Sequence, residues 1–169
     1  MKEHELYGHI HDLTDRIYQL ELMVHQPLVK FKMLQPNAKI PVYATVHAAG
    51  LDLYAANEEA ITIFPDDTKL VPLGFAMELP PGFEAQIRPR SGLAIKGVAV
   101  ANSPGTIDED YRGEVQVIIR NHGVTMSVHK GDRIAQMVIA RVAQAILVED
   151  NELSETARGA GGFGSTGTK

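Results

Sequence analysis

From residue 29 onward the chain contains short apolar or alternating runs that are separated by turn-forming residues. Proline, glycine, asparagine and aspartate stand between the runs, as in the triplets PPG at 80–82 and KGD at 130–132. Many short strands with such turn signals predict an all-β antiparallel sandwich or barrel. Residues 91–96 (SGLAIK) predict one helical turn or two. The runs that we expect to form strands are 29–34, 70–79, 84–87, 98–101, 114–119 and 133–142.

Residues 1–26 follow a different pattern, an apolar seam whose intervals alternate between four and three residues. This heptad spacing predicts an α-helix that ends at Pro27. The helix either lies on its own domain or self-associates as a coiled coil. In a coiled coil, β-branched residues at the first seam position with leucine at the second usually favour an assembly of two helices. The pattern alone therefore does not predict a trimer. The seam consists of Leu6, Ile10, Leu13, Ile17, Leu20 and Val24.

The composition limits the classes of protein to which the chain can belong. With 44% hydrophobic residues it can bury a core, and without cysteine it has neither disulfides nor thiolate metal ligands. The net charge of −5 argues against broad binding to nucleic acid or to an anionic membrane. No apolar run approaches the ~20 residues that span a bilayer, and the N-terminus lacks a hydrophobic signal core. We therefore expect a soluble protein of the cytoplasm, or of the host cytoplasm if the source is a virus.

The C-terminal stretch RGAGGFGSTGTK is rich in glycine. Three of its glycines have the spacing G-x-G-x-x-G of a dinucleotide-binding turn, but that turn needs a following helix and only five residues come after Gly164. A mobile arm is expected instead. The chain is thus predicted to consist of a helical extension (1–26), a β core (27–150) and a C-terminal arm (151–169).

The segment GTIDEDYRG, at 105–113, is predicted to form the tip of a hairpin. Asp108 and Asp110 are either turn formers, with Tyr111 as a packing residue, or part of a site. A carboxylate in such a turn can orient and deprotonate a water molecule.

The segment PRSGLAIKG, at 89–97, offers three kinds of donor to an anion. Arg90 has a planar guanidinium suited to phosphate oxygens, Ser91 has a hydroxyl, and Gly92 allows close approach of the backbone. The segment is either an oxyanion site or a surface turn.

Two further polar residues lie within apolar surroundings. Asp52, in AGLDLYA at 49–55, is expected to be partly buried and to need a partner, so that it belongs either to a structural ion pair or to a site. Gln136, in RIAQMVI at 133–139, is satisfied by neighbouring backbone or points into a site.

Taken in order, these segments closely resemble the five ordered motifs of the homotrimeric dUTPase family. The resemblance covers residues 29–167 and rests on AGLDLYA, PRSGLAIKG, GTIDEDYRGEVQV, RIAQMVI and RGAGGFGSTG. It implies a jelly-roll-like barrel and a homotrimer whose active sites are each lined by more than one chain. It also implies hydrolysis of dUTP to dUMP and pyrophosphate by water attack on the α-phosphorus, with Mg²⁺. That reaction keeps uracil out of DNA and supplies dUMP for thymidylate synthesis.

The resemblance assigns roles to the residues around the hairpin. Asp108 resembles the base that positions and activates the water, and Tyr111 the ring that excludes a ribose 2′-hydroxyl. Asn102 resembles the amide that reads the edge of uracil. The backbone near the following residues would complete that pocket: Thr106, Ile107 and Gln116.

Other positions resemble the phosphate binders of the family. These are Arg90, Ser91, Gly92 and Gln136, while Asp52 would act indirectly, through water or by orienting its neighbours. The metal of the family is held through phosphate oxygens and water, so no direct protein ligand is expected. In the arm, Arg158 would pair with the terminal phosphate and Phe163 would stack on uracil. Gly164, Ser165 and Thr166 are also expected to contact the substrate.

Two other functions remain open from the sequence. A dCTP deaminase shares this fold but would not need Tyr111 or the glycine-rich arm. A regulatory protein that uses the nucleotide as a switch is suggested only by the N-terminal extension, which would then bind a further partner.

Overall fold

The computed structural model describes residues 12–14, 16, 26–36 and 38–162. Within them the chain forms mainly short strands, as the alternation of apolar runs and turns predicts. A short helix, α1 (Ser91–Ala94), lies within the predicted segment 91–96. The strands are β1 Lys30–Met33, β2 Val42–Tyr43, β3 Leu51–Tyr54, β4 Ile61–Ile63, β5 Thr68–Pro72, β6 Phe75–Glu78, β7 Phe83–Arg88, β8 Val98–Val100, β9 Gly105–Ile107, β10 Gln116–Asn121, β11 Met126–Val128 and β12 Arg133–Arg141.

The strand pairs of the described residues are all antiparallel. One sheet has five strands in the order β2-β3-β12-β7-β9, and a second has three in the order β5-β10-β8. Two further pairs, β1-β6 and β4-β11, complete the framework. The prediction of an all-β antiparallel fold is therefore confirmed.

One hydrophobic cluster unites these sheets. In β10 buried and partly exposed residues alternate, which places Val117 and Ile119 in the core. Phe75 of β6 is fully buried and meets the ring of Phe31 edge-on, with the ring centroids 5.3 Å apart. Full burial of a side chain of this size stabilises a fold by roughly 1.5–3 kcal/mol.

The run 70–79, predicted as one strand, forms two strands, β5 and β6, which join different sheets. Gly74 makes the break, because its φ of +72° suits glycine and ends the extended conformation. A Cβ on Gly74 would also lie 2.6 Å from the Cβ of Ala38 and 2.9 Å from that of Ala56. The apolar run concealed this turn.

The prediction that residues 105–113 form the tip of a hairpin is wrong for residues 105–107, which form strand β9. Strands β8 and β10 do pair, with Val100 opposite Ile119. The connection between them contains a strand of its own, β9, which leaves this sheet and pairs with β7, Gly105 lying opposite Ile87. The chain thus crosses between two sheets before it returns along β10.

The ends of the chain are only partly described. Residues 12–14 and 16 are helical, but the seam positions Leu6, Ile10, Ile17, Leu20 and Val24 lie outside the described residues. From residue 142 to residue 162 the chain contains neither helix nor strand. Among the described residues, no helix has the length and apolar character that crossing a bilayer requires.

Candidate active site

A cavity of about 210 Å³ opens beside β9 and β10. Its apolar wall includes Ile87, Val100 and Val117, each at most 4% exposed, so the core supports it directly. Six residues that the sequence singled out line this one cavity: Asn102, Thr106, Ile107, Asp108, Tyr111 and Gln116. A shape of this kind, apolar with a few polar groups at its edge, is typical of small-ligand sites.

The turn after β8 directs Asn102 into the cavity. The amide of Ala101 donates to the carbonyl of Ile118 at 2.8 Å, and that of Ser103 donates to Val100 at 3.1 Å. The side chain of Asn102 then lies against Gly105, where a Cβ would stand 3.0 Å from Nδ2. The absence of a side chain at Gly105 therefore leaves the room that the Asn102 amide occupies.

A compact turn carries Asp108 and Tyr111. The amide of Tyr111 donates to the carbonyl of Asp108 at 3.2 Å, and the Tyr111 hydroxyl donates to the carbonyl of Glu114 at 3.0 Å. Arg112 Nη1 donates to the carbonyl of Glu109 at 2.6 Å, and the Glu109 carboxylate accepts from the amide of Gly82 at 2.5 Å. Asp108 itself is exposed, so its carboxylate is accessible to water.

A second polar cluster lies around Asp52 on β3. Its Oδ1 is 3.4 Å from Arg90 Nε and its Oδ2 is 3.0 Å from Arg133 Nη1. Arg90 Nη1 also donates to the backbone carbonyl of Arg133 at 3.0 Å. The Asp52 side chain is 13% exposed, whereas that of Arg133 is 50% exposed. Two guanidinium groups around one carboxylate leave a net positive charge that faces solvent, which suits an anion.

Gln136 joins this cluster from β12. It lies opposite Asp52 on one side and Arg88 on the other. Its Nε2 donates to the carbonyl of Pro89 at 2.9 Å, so the predicted partner in neighbouring backbone is observed. The amide fits beside Gly50, where a Cβ would be 2.5 Å from Oε1.

Ser91 and Gly92 follow directly, at the start of α1. Both are exposed, and the amides of Leu93 and Ala94 donate to the carbonyl of Arg90. A Cβ added to Gly92 would meet no heavy atom of the described residues within 4 Å. Nothing in the described part of the chain therefore requires a glycine there, and its expected role toward a ligand stays a prediction.

The two groups of predicted residues do not form one enclosed site within the described part of the chain. The lining of the cavity includes none of Arg90, Ser91, Gly92 and Gln136. Strand β7 lies between the groups, because Ile87 lines the cavity and the next residue, Arg88, is opposite Gln136.

The arm contributes one described candidate. Arg158 lies in a turn in which its Nε donates to the carbonyl of Gly161 at 2.8 Å, and it does not line the cavity. The other predicted arm residues lie outside the described residues: Phe163, Gly164, Ser165 and Thr166.

The sequence reasoning missed the residues that support these groups. Arg133 stands at the head of RIAQMVI, and the need of Asp52 for a charged partner was the signal that could have found it. The contact of the Glu114 carboxylate with Gly74 and the close contact at Gly50 arise from tertiary packing and left no such signal, whereas Gly105 contacts Asn102, which is only three positions away. Among the described residues, no three side chains of metal-binding type come together.

Comparison with known proteins gives one consistent family. A family model described as dUTPase matches residues 36–167. The deoxyuridine 5'-triphosphate nucleotidohydrolase of Rickettsia felis is 56% identical over 142 residues, which cover 82% of this chain and 96% of that protein. The protein of the same name from Rickettsia prowazekii is likewise 56% identical over 142 residues, with the same coverage.

Solved structures agree on the fold. The dUTPase of Staphylococcus bacteriophage 80alpha with dUPNHPP is 25% identical, with a TM-score of 0.77 over 83% of this chain and 98% of that one. A point mutant of the dUTPase from phage phi11 of S. aureus, whose structure concerns the coordination of a structural Mg(II) ion, is 20% identical. Its TM-score is 0.69 over 76% of this chain and 99% of that one, and at this identity the likeness concerns the fold alone.

Proposed function

The chain belongs to the dUTPase family, and we propose that it is a dUTP diphosphatase, which hydrolyses dUTP to dUMP and pyrophosphate. The observation that carries this proposal is that one cavity is lined by all six residues that the family resemblance assigns to base, sugar and water. The reaction keeps uracil out of DNA and supplies dUMP for thymidylate synthesis. A cytoplasmic location, where nucleotides are made, is part of the same proposal.

The uracil ring occupies the cavity in this proposal. An amide side chain such as Asn102 has both a donor and an acceptor, which matches the alternating N–H and C=O groups of the uracil edge. Polar groups of Thr106 and Gln116 stand on the same lining. Cytosine would leave some of these groups unpaired, and unpaired polar groups in a site give strong discrimination.

Tyr111 stands against the deoxyribose. Its ring lines the cavity and is held by the hydrogen bond from its hydroxyl to the carbonyl of Glu114. A ribose 2′-hydroxyl would collide with the ring and would lose its hydrogen bonds to water without replacement. The protein therefore prefers dUTP to UTP.

Asp108 orients the attacking water. An ionised carboxylate accepts hydrogen bonds only, so it can hold a water with one lone pair directed at the α-phosphorus. Its exposed position in the turn at the cavity leaves space for that water and for the phosphate chain. Water attack breaks the bond from the α-phosphorus to the bridging oxygen, and pyrophosphate leaves.

The cluster around Asp52 holds the phosphates. Arg90 is the main cation, and the pairing of Asp52 Oδ1 with Arg90 Nε supports the indirect role expected for Asp52. Such a pairing fixes the plane of the guanidinium, which favours two-point contact with phosphate oxygens. Ser91, Gly92 and Gln136 add donors, and Arg133 supplies a second positive charge.

Mg²⁺ fits this arrangement as an ion carried by the substrate. Mg²⁺ commonly keeps several waters and binds phosphate oxygens, so it does not need three converging protein ligands. When bound, it would neutralise charge on the triphosphate. The residues that bring the phosphates to it are those of the Asp52 cluster.

A homotrimer whose neighbouring chains complete each site is part of the proposal. The cavity and the Asp52 cluster do not share lining residues, which supports a site that needs more than one chain. Ile146, Leu147 and Leu153 are 90–92% exposed in the chain, and such apolar residues are usually covered in an assembly. Light scattering should therefore give three times the chain mass of 18.4 kDa.

The arm, residues 151–169, closes over bound nucleotide. Arg158 then pairs with the terminal phosphate, Phe163 stacks on uracil, and Gly164, Ser165 and Thr166 contact the substrate. A chain that ends at residue 157 should remain trimeric with turnover at least about tenfold lower, because stacking on one ring alone is worth roughly 1–3 kcal/mol. Unchanged turnover would contradict the closing arm.

Within the extension, residues 5–25 are proposed to form a helix that self-associates across the trimer. Residues 12–14 and 16 are helical, which supports the helix but not its association. A chain that begins at Gln26 should lose helical circular dichroism and part of the stability of the trimer. If the helical circular dichroism and the stability of the trimer are both unchanged, the extension does not self-associate, and it binds a further partner or none.

The function itself is tested by product release from dUTP, dCTP, dTTP and UTP with Mg²⁺. The proposal expects fast pyrophosphate release from dUTP alone. Ammonia release from dCTP without pyrophosphate would make the protein a deaminase. Tight binding of dUTP without turnover would instead make it a nucleotide-switched regulatory protein.

A further inference from the structure

Gly113 forms the surface on which the Tyr111 ring lies. A Cβ added to Gly113 would overlap the Tyr111 hydroxyl and would stand 2.6 Å from Cζ and 3.0 Å from Cε2. Carbon atoms in favourable contact are about 3.5–4.0 Å apart, so the ring could not keep its place above any larger residue. Gly113 is not among the glycines with positive φ, so it is needed here for space and not for backbone conformation.

Glu114 binds the hydroxyl at the same end of this ring. Its backbone carbonyl accepts the Tyr111 hydroxyl at 3.0 Å. Its carboxylate accepts the amide of Gly74 at 2.9 Å, which ties this residue to the turn between β5 and β6. That turn is itself confined, because Gly74 packs against Ala38 and Ala56. The acceptor of the tyrosine hydroxyl is therefore held by the core.

The ring needs this support. Tyr111 is 45% exposed, so apolar packing covers only part of it. A side chain that is half exposed readily changes rotamer unless hydrogen bonds or contacts oppose the change. The contact with Gly113 and the bond to Glu114 together select one orientation at the cavity.

We propose that Gly113 and Glu114 are positioning residues that set the Tyr111 ring and thereby the preference for deoxyribose over ribose. This inference rests on the proposed function, because it assigns the specificity of the same site. Gly113 acts by the absence of a side chain, and Glu114 acts through its carbonyl. Neither residue needs to touch the substrate for this effect.

The first test is Gly113→Ala, measured as the ratio of kcat/KM for dUTP to kcat/KM for UTP. The ratio should fall by roughly 10–100-fold, since a displacement of about 1 Å in a positioning group costs up to that factor. An unchanged ratio in a variant with wild-type thermal stability would overturn the proposal.

A double-mutant cycle separates positioning from general damage. The three atoms nearest to the added Cβ all belong to Tyr111. In a Tyr111→Ala background, Gly113→Ala should therefore leave the ratio unchanged. The same fall in both backgrounds would show that Gly113 acts by another route, and the inference would fail.

A third variant tests the proposal without a substitution at Gly113, so that a folding defect of Gly113→Ala does not affect the result. Tyr111→Phe removes only the hydroxyl that binds the carbonyl of Glu114, so the ratio should fall by less than in Gly113→Ala. No change would remove Glu114 from the proposal. Binding of dUpNHpp and of its ribose counterpart, measured by calorimetry, gives the preference for deoxyribose in ground-state binding, without turnover.

The two proposals can then fail separately. If wild-type protein binds the deoxyribose analogue preferentially but releases no pyrophosphate, the proposed function fails and the positioning role can still hold. If wild-type protein hydrolyses dUTP and Gly113→Ala keeps the full preference, only the positioning role fails.

Discussion

The cavity and the Asp52 cluster are built in opposite ways. The polar lining of the cavity comes from one stretch of chain, 102–118, which leaves one sheet, pairs as β9 in another and returns as β10. The cluster draws Asp52 from β3, Arg90 from the loop before α1, and Arg133 and Gln136 from β12, and the bond between Arg133 and Asp52 spans 81 positions. The first region selects by shape and the second by charge.

This difference predicts different consequences of damage. Changes at the cavity should alter which nucleotide is accepted, because its walls contact base and sugar. Changes at the cluster should weaken all triphosphates alike, because phosphate oxygens are common to them. The ratio of kcat/KM for dUTP to kcat/KM for UTP, measured in each variant, therefore distinguishes the two regions.

The largest effect is expected at Asp108, where the two regions must cooperate. Asp108→Asn keeps the size of the side chain but replaces one carboxylate oxygen with a donor, so turnover of dUTP should fall by about 10²–10⁴-fold. Binding of dUpNHpp, measured by calorimetry, should change little. A variant with wild-type turnover would remove Asp108 from the reaction.

The second effect tests the cluster. Arg90→Ala should lower kcat/KM for dUTP and for UTP by the same factor, about 10–100-fold, because a hydrogen bond to a charged group is worth roughly 1.5–3 kcal/mol. Asp52→Asn should lower kcat/KM by a smaller factor than Arg90→Ala does. Most of that cost should vanish in the Arg90→Ala background if Asp52 acts through Arg90. A change in the ratio of kcat/KM for dUTP to kcat/KM for UTP would contradict the proposed difference between the two regions.

A smaller effect is expected from Gly50→Ala. The added methyl group would stand too close to Oε1 of Gln136 and would move the amide away from Pro89. The loss in kcat/KM should stay below about tenfold, since one neutral hydrogen bond contributes about 0.5–1.5 kcal/mol. With Gln136→Ala already present, the same substitution should change nothing further. Full additivity of the two changes would contradict this explanation.

The smallest effect is expected at Glu78, outside both regions. The hydrogen bond and the charge of Lys30, with Nζ to Oε1 at 2.7 Å, lower the pKa of Glu78 below its ordinary value of 4.5. A carboxylate whose pKa is lower in the folded state stabilises the fold at pH values above its pKa in the unfolded state. That stability is lost as the pH falls through its pKa in the folded state.

In Glu78→Gln the free energy of unfolding, followed with urea at pH 7, should be slightly below that of the wild type. The difference should disappear in acid, and dUTP turnover should not change. Because the side chains of Lys30 and Glu78 are 66% and 44% exposed, a large difference at pH 7 would mean that Glu78 has another role.

The two regions also differ in how far the sequence predicts them. All six cavity residues come from GTIDEDYRGEVQV and the turn just before it, so a motif in one stretch was enough to group them. The all-β fold followed from turn signals in the same local way. The strand at 105–107 was missed because its partner, β7, is distant in sequence.

The missed features of the cluster are tertiary in origin. The pairing of Asp52 with two arginines depends on β3 lying beside β12 and on the loop before α1 reaching both, and these segments are far apart in sequence. The close contact at Gly50 and, outside the cluster, the break at Gly74 depend on neighbours that folding brings near. Local chemistry was predictable, whereas the contacts that hold it in place were not.

The central claim is that water is directed at the α-phosphorus of a deoxyuridine nucleotide, and hydrolysis in ¹⁸O-labelled water tests it most directly. Mass spectrometry of the products from dUTP should find one labelled oxygen in dUMP and none in pyrophosphate. Asp108→Asn should slow the appearance of that label without moving it. Label in pyrophosphate, or a wild-type protein that forms no labelled dUMP, would contradict the account.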